Sequence, residues 1–156
     1  MGSLPDRKPI EKEKELGRIL NREVFLYFLD QEVKRALRYQ NFLSVLLMRL
    51  VPSSKENNGK GFEACRETLE NVLIEEMRET DVLGSLAENK LAALLPYADV
   101  NASDLAKVRF ENTLKYDDFK NWGYEVTVQQ FSFPKSGTNT VDVIRKAMDV
   151  EPFRKM

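Results

Sequence analysis

At 156 residues, with 42% apolar and 31% charged side chains, the chain has the size and make-up of one soluble globular domain. Its 24 Lys and Arg offset 25 Asp and Glu to a net charge of −1, so there is no overall electrostatic footprint for nucleic acid or an anionic membrane. With no histidine and a single cysteine, Cys65, the sequence excludes His-based triads, His-ligated zinc, a disulfide framework and multi-Cys metal clusters.

Residues 1–15 carry prolines and then the alternating charges EKEKE, with almost nothing to bury. They read as a linker that becomes the first turns of a helix, followed by a domain over 16–150 and a tail over 151–156. The first 15 residues lack a signal-peptide core, and no apolar run reaches membrane-spanning length, so the expected location is cytoplasmic. Asn21 is placed to cap a helix over Arg22–Tyr39. Its Phe25, Phe28, Leu29, Val33, Ala36 and Leu37 recur at spacings of three and four and form one apolar face.

Phe42–Val51 is a nearly continuous apolar run ended by Pro52, the pattern of a central strand buried on both faces. Arg49 is the anomaly inside it. Residues 52–60 are a loop by composition, and a helix over Phe62–Met77 lines up Phe62, Leu69, Val72, Leu73 and Met77 on one side. Two short strands, about 81–86 and 91–95, flank the polar turn Ala87-Glu88-Asn89-Lys90. Asn101 or Ser103 caps a third helix to about Lys115. Tyr124–Phe133 has strand composition, and Thr138 or Thr140 opens a last helix stopped by Pro152. Tyr116, Phe119, Trp122 and Tyr124 read as cover for a sheet edge. After the first helix the order is β-α-β-β-α-β, an α+β, ferredoxin-like core: an antiparallel central sheet with helices packed on one face, plus flanking helices.

Several of these segments carry a resemblance. Arg78-Glu79-Thr80-Asp81, then five residues, then Ala87-Glu88-Asn89-Lys90-Leu91 and an apolar strand to Pro96 resembles the central signature of GGDEF domains, the diguanylate cyclase family. There an RxxD motif precedes GG(D/E)EF on a β-hairpin by the same interval. Leu20-Asn21-Arg22 with Phe25, then Arg35, Arg38-Tyr39, the strand from Ser44 and Val126-Thr127-Val128 follow the family's pattern as well. The resemblance spans 16–150 and implies a nucleotide-cyclase-like fold. In active members it implies Mg²⁺-dependent joining of two GTP molecules into cyclic di-GMP.

The same resemblance implies that the catalytic apparatus is degenerate. Arg49 stands at the position of a metal-binding Asp, where the plain alternative is a salt-bridged or snorkelling arginine. Asn89 replaces the metal-binding acid of the hairpin and Lys90 the following Glu. Ala87-Glu88 replace the glycine pair that lets backbone approach phosphate. Asn57 matches a guanine-binding asparagine, but Phe62 or Glu63 falls near its companion aspartate. The phosphate-binding lysine of the family's last helix has no clean counterpart, since Pro152 interrupts that helix and Lys155 lies beyond it, and residues 14–19, KELGRI, stand where the family has DxLTGL. Neither Mg²⁺ nor catalysis is expected.

What survives is the family's inhibitory site for cyclic di-GMP. Arg78 and Asp81 match its RxxD motif, and Arg109 falls in register with a further arginine of the following helix. An arginine fork pairs with guanine or phosphate, and a carboxylate accepts from guanine N–H groups. With 11 Arg and 9 Asp, roughly 0.6 RxxD tetrads arise by chance, so the offset and Arg109 carry the reading rather than the tetrad. The expectation is a non-catalytic cyclic di-GMP receptor that signals to a partner domain or protein, with ligand able to bridge two copies. In it, Arg78→Ala or Asp81→Ala abolishes binding without altering thermal stability. The alternative is a ligand-independent scaffold or dimerisation domain. Cys65, with no histidine to activate it, reads as a packing residue.

Overall fold

The computed structural model describes residues 17–53, 60–117 and 119–134. The last helix expected from Thr138, the EKEKE stretch, Asn57 and Lys155 lie outside them. The elements are β1 (Ile19–Leu20), α1 (Arg22–Tyr39), β2 (Leu43–Pro52), α2 (Lys60–Glu76), β3 (Val82–Ala87), β4 (Lys90–Pro96), α3 (Val100–Leu114) and β5 (Tyr124–Phe133). The sheet order is β1-β3-β4-β2-β5. β2 is antiparallel to both β4 and β5, and β3 to β4, so β2-α2-β3 and β4-α3-β5 are two interleaved crossover units. This is the expected α+β architecture with one addition: β1 joins β3 in parallel, Ile19 beside Leu83 and Leu20 beside Gly84.

Helices cover both faces, not one. Phe25, Leu29, Val33 and Ala36 of α1 pack on Leu43, Val45, Leu47, Leu86, Ala92 and Leu94. On the opposite face Cys65, Leu69, Val72 and Leu73 of α2 and Ala106, Phe110 and Leu114 of α3 meet Leu46, Met48, Leu50, Leu83, Leu91 and Ala93. Alternate β2 side chains therefore enter two cores, which is why its apolar run is continuous.

Local chemistry explains the boundaries. The Asn21 side chain accepts from the Val24 N–H, capping α1, and Gln40 ends that helix in the left-handed region. The apolar stripe of α1 is narrower than expected: Phe28 is 40% and Leu37 61% exposed, because they flank the line that faces the sheet. Asp99, not Asn101 or Ser103, caps α3 through the Ala102 N–H, while Ser103 is buried. Ala87 and Lys90 pair with each other as strand residues, so the hairpin turn is only Glu88-Asn89. Gly84 admits the Phe25 ring: a Cβ there would lie 2.5 Å from it. Phe119, edge-on to Trp122, and Tyr124, edge-on to Phe62, are buried as sheet cover, whereas Tyr116 projects into solvent.

Candidate functional site

The RxxD segment forms the tight link between α2 and β3. The Asp81 N–H donates to the Arg78 carbonyl at 3.0 Å, and Asp81 Oδ2 accepts the Arg78 N–H at 2.8 Å. The Asp81 side chain is 2% exposed. Its Oδ1 is buried without a hydrogen-bond partner, and the nearest cation, Arg78 Nη2, stands 3.6 Å away, beyond good hydrogen-bond length. Arg78 itself is 64% exposed.

Arg109 reaches the same place from α3. Its Nε donates to Glu76 Oε1 at 3.1 Å and its Nη2 to the Glu76 carbonyl at 3.0 Å, with the guanidinium half exposed. Thr113 Oγ1 holds the other Glu76 oxygen at 2.8 Å. The three residues singled out in the sequence therefore gather around the C-terminus of α2. Asp81 differs from expectation: its carboxylate is a buried turn-holding group rather than a solvent-facing acceptor, so its removal must cost stability.

Sequence reasoning missed Arg18. Its guanidinium donates to the carbonyls of Ile74 at 3.3 Å, Asp81 at 3.5 Å and Arg78. The last turn of α2 has no cation of its own, so Arg18 and Arg109 complement the helix terminus from two sides. Three guanidiniums, Arg18, Arg78 and Arg109, stand around two carboxylates, Asp81 and Glu76. The available signal was the arginine just before the Ile19–Leu20 pair, but nothing local assigns it to a helix end 56 residues away.

The other end of β3 carries the positions matched to the catalytic motif. Arg49 lies directly across from Lys90 in the β2–β4 register, and Lys90 is 1% exposed. Asn89 closes the hairpin on β2: its Nδ2 donates to the Leu50 carbonyl at 3.2 Å, and its own carbonyl accepts the Leu50 N–H at 2.8 Å. Arg66 of α2, also unforeseen, donates to the Ala87 carbonyl at 3.1 Å, to the Glu88 carbonyl and to Ser85 Oγ at 2.9 Å. Glu70 holds its Nε at 2.7 Å. Beside it an open cleft of about 450 Å³ is lined by Asn21, Arg22, Arg66, Glu70 and Ser85. Among the described residues no three acidic, Cys or His side chains are grouped to hold a metal ion, and no helix is long and apolar enough to cross a membrane.

No family model matches the sequence, and no curated protein matches it. Solved structures do. The chain is similar to the GGDEF domain of FimX from Pseudomonas aeruginosa, at 16% identity and TM-score 0.69, over 92% of this chain and 90% of that one. The active GGEEF domain of a diguanylate cyclase from Vibrio cholerae matches at 12% identity and TM-score 0.69, over 82% and 85%. The GGDEF domain of DgcB from Caulobacter crescentus, in complex with cyclic di-GMP, matches at 11% identity and TM-score 0.62, over 85% and 82%. The fold is that of GGDEF domains.

Proposed function

We propose that this chain is a non-catalytic GGDEF-like domain that binds cyclic di-GMP at the C-terminus of α2 and reports the binding to a partner domain or protein. The observation that carries the reading is that Arg78 and Arg109 both stand at the C-terminus of α2, Arg78 exposed and 3.6 Å from the buried, unpartnered Asp81 Oδ1, Arg109 half exposed on Glu76. A buried acceptor without a donor costs about 1–3 kcal/mol, so a guanine N–H admitted to it by a shift of the Arg78–Asp81 turn recovers energy that the unliganded protein forgoes. Arg78 would swing from its 3.6 Å ion pair to a guanine edge or a phosphate, where its planar fork makes two charge-assisted hydrogen bonds. Arg109 would hold the second phosphate or base from across the helix end.

Against catalysis stands the donor set at the hairpin. Two cations, Arg49 and Lys90, face each other across the strands, and the Asn89 amide is spent on Leu50. A hard dication that needs carboxylate oxygens does not fit these residues. Glu88 would add repulsion to a triphosphate. The solved structures of this fold include both an active cyclase and a cyclic di-GMP complex, so the side chains decide between the two uses.

Calorimetric titration of the domain with cyclic di-GMP, with Arg78→Ala alongside, tests the reading. Micromolar or tighter binding that the substitution weakens at least about tenfold supports it. No heat and no thermal shift at hundreds of micromolar ligand would leave a ligand-independent scaffold in its place.

A further inference from the structure

We propose that Arg18 is the positioning residue that couples the Arg78–Asp81 turn to the segment entering the domain, so that cyclic di-GMP at the turn is passed on as a change in β1. The inference rests on the receptor reading for its ligand but not for its mechanics. Arg78 has both backbone groups engaged: its N–H goes to Asp81 Oδ2, and its carbonyl accepts from both the Asp81 N–H and the Arg18 guanidinium. A ligand that draws the Arg78 side chain outward therefore pulls on a peptide unit that Arg18 grips.

Arg18 makes two further, longer contacts, at 3.3 and 3.5 Å. The same guanidinium spans the carbonyls of Ile74 and Asp81, on either side of the turn. A planar fork with five N–H donors suits this arrangement, whereas a lysine ammonium cannot span it in one plane. The next residues, Ile19 and Leu20, pair with Leu83 and Gly84, which begin two residues after Asp81. One four-residue stretch, 17–20, thus touches the turn twice, through a side chain and through a strand only two residues long. So short a strand depends on its flanking attachment, which makes β1 the low-stability element next to the site.

Amide hydrogen exchange at Ile19 and Leu20 tests the coupling. In ligand-free protein, Asp81→Ala, which removes the acceptor of the Arg78 N–H, should speed exchange at these two amides about fivefold. Added to Arg18→Ala, the same substitution should speed it no further, because the connection is already cut. Independent, additive increments would overturn the proposal. In the wild type, saturating cyclic di-GMP should slow exchange at Ile19 and Leu20, and Arg18→Ala should abolish that slowing while calorimetry still registers binding. Equal slowing in wild type and Arg18→Ala would overturn the relay. If the wild type binds no cyclic di-GMP, the receptor reading falls and the ligand-free cycle alone decides the coupling. Should Arg18→Ala not fold, Arg18→Lys takes its place, with the charge kept and the fork removed.

Discussion

The two ends of β3 lie about 17 Å apart at the usual rise per residue and treat their polar groups in opposite ways. At the hairpin end, the carbonyls of Ala87 and Glu88 are taken by Arg66, Asn89 is bonded to Leu50 on both its amide and its backbone, and Lys90 is buried. At the other end, the Arg78 side chain is 64% exposed, Arg109 is half exposed and bonded twice to Glu76, and the buried Asp81 Oδ1 has no donor. The hairpin carbonyls and the Asn89 amide are engaged internally, beside a cleft that stays open, while the turn keeps an exposed Arg78 and an unpartnered Asp81 oxygen.

The contrast can be broken in graded steps. The largest effect is expected from Arg78→Ala combined with Arg109→Ala, which removes two charge-assisted contacts and should weaken cyclic di-GMP binding about 100-fold or more by calorimetry. Glu88→Gly at the hairpin should leave the affinity unchanged. An equal loss from Glu88→Gly would place the ligand at the wrong end.

Asp81→Ala comes next. It frees the Arg78 N–H from its capping carboxylate, so chemical denaturation should show a loss of about 1–3 kcal/mol together with weakened binding. Unchanged stability would mean that the carboxylate does not hold the turn. Arg66→Ala should cost about 1–2 kcal/mol and speed amide exchange over 85–90, with cyclic di-GMP affinity unaltered.

Cys65 gives the smallest and most local readout. It is buried in the core between α2 and the sheet, and burial pushes its thiol up from 9.0 to about 11. The unfolded thiol ionises at its ordinary value while the folded one stays protonated. Its contribution is therefore complete below pH 9.0 and is lost as pH rises towards about 11. Thiol labelling at pH 8 should proceed only through opening of the fold. Arg66→Ala should accelerate it more than Arg78→Ala, since Arg66 is the neighbour of Cys65 that ties α2 to the hairpin.

Much of this was legible in the sequence because periodicity reports burial. The β2 run, the β5 composition and the Asn21 cap were read directly, and α1 ends where expected. The misses share a cause: they depend on what lies across space. Phe28 and Leu37 obey helical spacing, but only the sheet decides which edge of the stripe is covered. β1 is too short to have a pattern and exists because β3 offers an edge. Asp81 was expected to leave stability untouched on removal, since the motif shows the residue and not its burial. Arg18 and Arg66 act on carbonyls, which carry no sequence signature at all.

The most direct test of the contrast is an amide chemical-shift map of the labelled domain, titrated first with cyclic di-GMP and then, in a separate sample, with GTP and Mg²⁺. The account predicts that cyclic di-GMP shifts amides of 74–83 and 105–113, with an echo at 18–20. It also predicts that GTP with Mg²⁺ leaves 85–91 and the cleft at Asn21 and Arg22 unmoved. Saturable shifts of 85–91 with GTP, or cyclic di-GMP shifts centred on the hairpin, would contradict it.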